Sequence, residues 1–209
     1  MSTEDNKIYG ELIGCDELHS SNILEDSAES YRADTPKYLA PAAEITHETT
    51  TNTNKRFYDN KVMFITTTEG ESNVNIVVSG VPISLASELT GKPYDESTGL
   101  FYDTGSTENT PWRTLSGRME LGDGGYRYFQ YLKGKFVIGS QTAKTRENDI
   151  TPNTVTLTYS AAVTTHKFQV TTNKISGVKS IFADTTNPAF VGADKWFSAV
   201  QTPPEPSEA

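Results

Sequence analysis

The chain has 209 residues, of which 35% are hydrophobic and 22% charged, so it is long enough for one domain with a sizeable core. Its 18 Lys and Arg against 27 Asp and Glu give a net charge of −9. This argues against a nucleic-acid-binding surface, because such surfaces neutralise phosphates with basic side chains. The acidic N-terminus has no secretion-signal pattern and the apolar runs are too short for a membrane helix, so we expect a protein made in a cytoplasm that enters no membrane.

The first 60 residues contain short strand candidates at 12–18, 37–39 and 43–48, followed by a long polar segment. We predict that this segment, 46–60, is a loop without secondary structure of its own, and such loops are usually functional. It ends in basic and aromatic residues, which occur in single-strand nucleic-acid binders but are also anchors of protein interfaces. In an acidic chain we interpret it as a docking loop to another protein copy. Its candidate contact residues are Thr49, Lys55, Arg56, Phe57, Tyr58 and Asp59.

The next segments predict a hairpin and one helix. Residues 62–68 and 74–79 flank Glu69-Gly70-Glu71 and are interpreted as the two strands of a hairpin. The helix is predicted at about 82–90, because Pro82 suits a first turn and Gly91 suits a left-handed cap. Its apolar stripe consists of Leu85, Ala86 and Leu89.

The second half of the chain carries the clearest strand patterns. Asp123-Gly124-Gly125 predicts a hairpin between 112–121 and 126–138, with a turn or bulge at Lys133-Gly134. Residues 154–163 alternate strictly, so one face meets a core and the other meets water or a polar surface. The apolar face is Val155, Leu157, Tyr159, Ala161 and Val163, and the hydroxyl face is Thr154, Thr156, Thr158 and Ser160.

The C-terminal region ends in a short helix candidate at 195–200 and a Pro-rich acidic tail at 203–209. We expect one β domain over residues 1–202, and we expect a neighbouring copy to hold the tail.

No catalytic arrangement is visible in the sequence. Cys15 is the single cysteine, which rules out an intrachain disulfide, and we interpret it as a small buried residue. His19, His47 and His166 lie far apart and do not have metal-ligand spacing. We find no nucleophile elbow, phosphate-binding loop or dinucleotide fingerprint. We therefore predict a protein that is not an enzyme and that needs no cofactor or metal.

Six stretches stand out together by their order and spacing: 37–45, 56–61, 78–82, 86–95, 126–134 and 182–185. Together they resemble the major tail protein, or tail tube protein, of long non-contractile-tailed bacteriophages that infect Gram-positive hosts. The resemblance covers the chain from about residue 10 to about residue 202. The Thr-rich run at 49–53 and Thr90 depart from the family pattern.

The resemblance implies a mainly β fold, a β-sandwich or barrel of antiparallel strands with one flanking α-helix and a long inter-subunit loop. It also implies assembly into hexameric rings that stack into a hollow tube, through which the genome leaves the capsid. By position, residues 46–60 correspond to the loop that bridges subunits and rings, and 82–90 to the family helix. The hydroxyl face of 154–160 is then one candidate lining of the lumen, with the outer surface of the sandwich as the alternative.

The partners implied by the resemblance are further copies of the chain, a tail terminator, distal tail or baseplate proteins and a tape measure protein. Duplex DNA would pass through the lumen without specific binding. The protein would be made in the host cytoplasm and reside in the virion. Two alternatives stay open: a carbohydrate-binding or adhesion β-sandwich, which Thr-rich loops and aromatic clusters would also serve, and the tube protein of a contractile injection device.

Overall fold

The computed structural model describes residues 10–141, 154–171 and 174–205. The protein is mainly β, with 56% strand and 6% helix, and its sheets are antiparallel with one α-helix beside them. Mainly β structure was predicted and is confirmed. The elements are β1 Leu12–Asp26, β2 Tyr31–Ala33, β3 Lys37–Tyr38, β4 Ala42–Tyr58, β5 Lys61–Val78, α1 Ile83–Thr90, β6 Tyr94–Asp95, β7 Leu100–Phe101, β8 Arg113–Leu121, β9 Tyr126–Gln141, β10 Val155–Ala161, β11 Phe168–Thr171, β12 Lys174–Ser176, β13 Ser180–Asp184 and a 3₁₀ turn at Ala193–Lys195.

A nine-stranded sheet contains most of these strands, in the order β2-β1-β8-β9-β10-β5-β4, with β13 also paired to β9 and β3 to β1. The long strand β9 joins its two parts. One edge of β9 pairs with β8, and the other edge pairs first with β13 and then with β10. The strand pairs β6–β7 and β11–β12 form two small separate sheets.

A bulge bends β9 between these partners. Tyr131 lies opposite Leu115 and Gly134 lies opposite Arg113, so β9 holds one residue more than β8 over this stretch. A side chain at Gly134 would come within 2.3 Å of the Tyr159 ring, so the position requires glycine. The bulge predicted at Lys133-Gly134 is confirmed.

One hydrophobic cluster draws on both parts of the sheet and on the helix. Alternate residues of the strands point into it, as the period-two pattern of 154–163 predicts. Its members include Leu18, Leu115, Met119, Phe129 and Tyr131 from β1, β8 and the first half of β9, and Val74, Ile76, Val78, Phe136, Leu157, Tyr159 and Leu89 from β5, the second half of β9, β10 and α1.

Helix α1 confirms the predicted helix within one residue. Pro82 occupies its N-cap, and Gly91 adopts the left-handed C-cap with a φ of 71°. The Gly91 N–H donates to the Ser87 carbonyl at 2.8 Å. Ala86 and Leu89 are buried, and Leu85 packs against the core from a half-buried position. Thr90 donates its hydroxyl hydrogen to the Ala86 carbonyl.

The helix expected at 195–200 is wrong. The structure has only a 3₁₀ turn at Ala193–Lys195. Trp196, the residue after this turn, is buried. The side-chain amide of Gln201 donates to the carbonyls of Lys195, Trp196 and Ala199. In a helix over 195–200 the Lys195 and Trp196 carbonyls would instead accept from backbone N–H groups four residues further on. Among the described residues, no helix is both long and apolar enough to cross a lipid bilayer.

Candidate functional site

The segment predicted as a structureless loop is a strand, so that prediction is wrong. Most of 46–60 belongs to β4, which pairs with β5 in one long hairpin whose last pair is Tyr58 opposite Lys61. The hairpin turns at Asp59 and Asn60, with φ angles of 49° and 60°. Two consecutive positive φ values are typical of the two-residue hairpin turn that matches strand twist. The Thr-rich composition of this segment suits a strand, because β-branched residues favour extended backbone.

The hairpin expected around Gly70 is also wrong, because 62–68 and 74–78 lie in the single continuous strand β5. Gly70 sits at a bulge, where the register shifts between Thr49 and Thr51 of the facing strand. A side chain at Gly70 would come within 2.5 Å of the Thr50 hydroxyl. The glycine therefore marks a close approach between strands and not a turn.

The long hairpin has two parts with different surroundings. We call residues 42–49 and 72–78 the base; there β5 alternates between buried and half-buried side chains. We call residues 51–69 the arm; every one of its residues is exposed. From Thr51 to Tyr58 the arm extends roughly 24 Å, at about 3.4 Å per residue.

The end of the arm, residues 55–65, is apolar and basic, and we call it the tip. Phe57 lies opposite Val62, whereas Arg56 lies opposite Phe64, so both faces of the tip carry an aromatic ring. The Tyr58 and Phe64 rings meet edge to face with centroids 5.9 Å apart. The exposed large apolar side chains of the tip are Phe57, Tyr58, Val62, Met63, Phe64 and Ile65. Its charged residues are Lys55, Arg56, Lys61 and Asp59.

Five of the six residues predicted for the docking loop lie together in the tip, and Thr49 does not. Thr49 belongs to the base, where its hydroxyl lies 3.0 Å from that of Ser72. The sequence predicted 62–68 as a strand, but 62–65 was not among the predicted docking residues. Its unbroken run of Val, Met, Phe and Ile gave the signal of a buried strand, and only its position beside the Asp59-Asn60 turn identifies it as the partner of β4.

β4, β5, β10 and the end of β9 have a polar face on the side of the sheet that points away from the hydrophobic cluster. Directly opposed residues of neighbouring antiparallel strands share a side of the sheet, so the pairing defines rows across it. The first row is Glu48, Asn73, Ser160 and Lys135, and the second is Thr46, Asn75, Thr158 and Val137.

Within each row, hydrogen bonds between side chains connect neighbouring strands. The Thr158 hydroxyl donates to the Asn75 side-chain oxygen at 3.0 Å, and Ser160 donates to Asn73 at 2.7 Å. Thr156 is half-buried on the same strand, and Thr154 is exposed just before β10 begins. Thr158 and Ser160 of the predicted hydroxyl face therefore share one side of the sheet, and the structure adds the asparagines of β5 that sequence reasoning missed.

Both outer strands of this four-stranded part have one unpaired edge in the described chain. Along its whole length β4 pairs only with β5, and beyond Gly134 the strand β9 pairs only with β10. Unpaired edges expose backbone N–H and carbonyl groups that can pair with another chain. A cleft of about 630 Å³ opens beside the β9 edge, lined by residues that include Ile83, Phe101 and Val137.

The described part of the C-terminal tail contacts its own chain. The Gln169 N–H donates to the Pro204 carbonyl at 2.9 Å, and a Glu205 carboxylate oxygen lies 2.7 Å from Nε2 of the buried His166. Residues 203–205 are described, whereas the rest of the predicted tail, 206–209, lies outside the described residues. Contacts within one chain account for the position of 204 and 205, so these residues give no sign of a neighbour.

The described residues contain no group of three His, Cys, Asp or Glu side chains placed to hold a metal ion. Cys15 is half-buried, and burial, followed by the charges of Asp16 and Glu44, raises the pKa of its thiol. Burial lowers the pKa of His47, whose Nδ1 lies 2.9 Å from the Tyr131 hydroxyl. A raised thiol pKa opposes formation of the reactive thiolate, so Cys15 lacks the features of an activated nucleophile.

Comparison with models of known protein families gives no match for this chain, and no curated protein matches its sequence significantly. The arm, the polar face and the unpaired strand edges are therefore the observations from which a function is inferred.

Proposed function

We propose that this protein is a self-assembling structural component of a bacteriophage tail tube. Copies form hexameric rings, the rings stack into a hollow tube, and the genome leaves the capsid through it. The observation that carries this proposal is the arm, whose apolar tip has no covering surface within the described part of its own chain.

The arm has the properties of a segment that is completed by another protein copy. An isolated two-stranded hairpin is marginally stable in water at best, and an exposed apolar strand pair invites aggregation unless a partner covers it. The arm also ends in Arg56 and several aromatic rings, the residue types that anchor protein interfaces. In the assembled tube, the tip packs against a neighbouring subunit or ring.

Ring closure uses the sheet of the protein and not the arm. We propose that the sheet bends at the β9 bulge into a sandwich, with β9-β10-β5-β4 as one layer. The unpaired edges of this layer differ, because β4 forms one and β9 the other. A contact between different edges is head-to-tail, and head-to-tail contacts close into a ring when the rotation allows it.

The polar face then lines the lumen. Hydroxyl and amide groups dominate its rows, and each copy carries a net charge of −9. Such a wall gives DNA few of the Lys and Arg contacts that create adhesion to phosphate. Genome passage is accordingly passive, without specific binding of DNA. The tail terminator, distal tail or baseplate and tape measure proteins are the partners that the family resemblance adds, and the virion is the corresponding location.

Negative-stain electron microscopy of the concentrated protein tests this proposal. We expect rings or tubes, with a matching high mass by light scattering. The control Val191→Ala removes an exposed apolar side chain that belongs to neither strand of the arm and should assemble normally. A protein that remains a monomer at every concentration would overturn the proposal, and glycan binding by that monomer would favour the adhesion module. Tubes found with a sheath in native particles would assign the protein to a contractile injection device.

A further inference from the structure

The first row of the polar face carries opposite charges at its two ends. It begins at Glu48 on the unpaired edge of β4 and ends at Lys135 near the unpaired edge of β9. Three strand spacings of about 4.8 Å place the Cα atoms of these residues roughly 14 Å apart within one copy. The two side chains therefore cannot pair with each other inside a single chain.

Neither end of this row has an ion-pair partner within the described ranges. Glu48 accepts a hydrogen bond from the Asn75 amide at 3.3 Å, which leaves its charge uncompensated. Glu44, the next acidic residue on the same side of β4, accepts only from Thr46 at 3.3 Å. The Lys135 ammonium lies over the Trp112 ring, 4.8 Å from its centroid, and belongs to no ion pair among the described residues.

The strand directions fit a head-to-tail contact between these edges. Each step from β9 to β10, β5 and β4 is antiparallel, so β4 and β9 run in opposite directions. The β4 strand of a second copy in the same orientation would thus lie antiparallel to β9. Continuing the row across this contact brings Glu48 of one copy opposite Lys135 of the next.

We propose that Lys135 of each copy pairs with the acidic edge of β4, Glu48 or Glu44, in the next copy, and that this pairing restricts the register between β9 of one copy and β4 of the next. The proposal rests on the proposed function, because it specifies the contact between ring neighbours. Only even slips between the strands keep the polar face on one side. A slip of two residues places Thr46 opposite Lys135 and loses the ion pair, whereas a slip of four places Glu44 there. The pairing therefore limits the contact to the two registers that place a carboxylate opposite Lys135.

Charge reversal in two separate variants tests the pairing. Lys135→Glu and the double variant Glu44→Lys with Glu48→Lys each create like charges at every ring contact, and like-charge contacts are strongly unfavourable. We expect sedimented tubes to fall by about tenfold or more for each variant alone. Lys167→Glu, the same change at an exposed lysine outside the row, should assemble like the unmodified protein.

Mixing the two variants in equal amounts should restore tubes, because alternating copies present opposite charges at every contact of a ring with six members. Circular dichroism should show that each variant keeps its fold. Normal tubes from Lys135→Glu alone, or no recovery in the mixture, would overturn the pairing while leaving tube formation by the unmodified protein intact. Absence of tubes from the unmodified protein would instead overturn the proposed function.

Discussion

The base and the arm are two parts of the same pair of strands, yet their surroundings are opposite. In the base, Val74, Ile76 and Val78 are fully buried in the core cluster. In the arm, Ile65 of the same strand is 61% exposed. Hydrogen bonding between β4 and β5 continues through both parts, so backbone pairing does not explain the difference. What changes is the presence of a second layer of side chains.

This difference separates two roles for apolar residues. Those of the base stabilise the monomer, because folding removes them from water. Those of the arm remain in water in the single chain and can contribute only when another surface covers them. Substitutions matched between the two parts should therefore affect different measurements: unfolding free energy for the base and assembly for the arm.

The largest effect on unfolding is expected for Ile76→Ala in the base. Ile76 is fully buried, so the substitution removes buried methyl groups and leaves a cavity, which costs about 2–5 kcal/mol. Urea denaturation followed by circular dichroism measures this loss. A loss below about 1 kcal/mol would mean that the base packs less tightly than the structure shows.

A similar loss of stability is expected for Asp26→Asn. Asp26 is the last residue of β1 and lies outside the long hairpin. The Asp26 side chain is 6% exposed and pairs with Lys133, and it accepts hydrogen bonds at 2.9 Å from the Thr165 and His166 backbone N–H groups. Loss of this buried charge should cost about 3 kcal/mol. Asp59→Asn at the exposed turn of the arm provides the matched control and should leave stability within about 0.5 kcal/mol.

The same residue predicts a pH dependence. Burial alone would raise the pKa of Asp26, but hydrogen bonds from His166, Lys133 and Thr165 outweigh it and lower the pKa. Its stabilisation is present above the unfolded-state pKa of about 3.9 and is lost as pH falls through the folded value. Urea titrations between about pH 5 and 2 should show a weaker acid dependence in Asp26→Asn than in the unmodified protein. Parallel pH profiles for the two proteins would contradict this assignment.

Gly134→Ala in the body should cost about 1–3 kcal/mol, since overpacking forces neighbouring atoms to move. The new methyl group would meet the Tyr159 ring and the Ser160 carbonyl oxygen, at 2.3 and 2.6 Å. At Gly70, beside the arm, the nearest atom is the hydroxyl of the exposed Thr50, which can rotate away. Gly70→Ala should therefore destabilise the protein less in thermal unfolding, and equal losses would contradict the contrast.

The sequence predicts individual strands and the helix where the residue pattern is distinctive, but it does not predict the difference in burial between the base and the arm. Strict alternation at 154–163 predicted β10, and Pro82 with Gly91 predicted α1 within one residue. Gly70 led to the wrong prediction of a hairpin turn, because glycine is common in bulges and in turns. The true turn contains Asp59 and Asn60. Asp and Asn also adopt positive φ, but less often than glycine, so they are a weaker turn signal in a sequence. Exposure of the apolar run 62–65 in the tip could not be predicted, because such a run shows its hydrophobicity but not whether a second layer covers it.

The smallest effect on the monomer, and the sharpest test of the arm, is expected for Ile65→Ala. Ile65 lies opposite Lys55 in the tip and is exposed, so unfolding free energy should change by no more than about 0.5 kcal/mol. Tube formation, measured by sedimentation and negative stain, should nevertheless fall sharply, because the tip loses apolar surface that a neighbour covers. The pair Ile76→Ala and Ile65→Ala makes the same chemical change in one strand. Normal tubes from Ile65→Ala would show that assembly does not depend on this part of the tip.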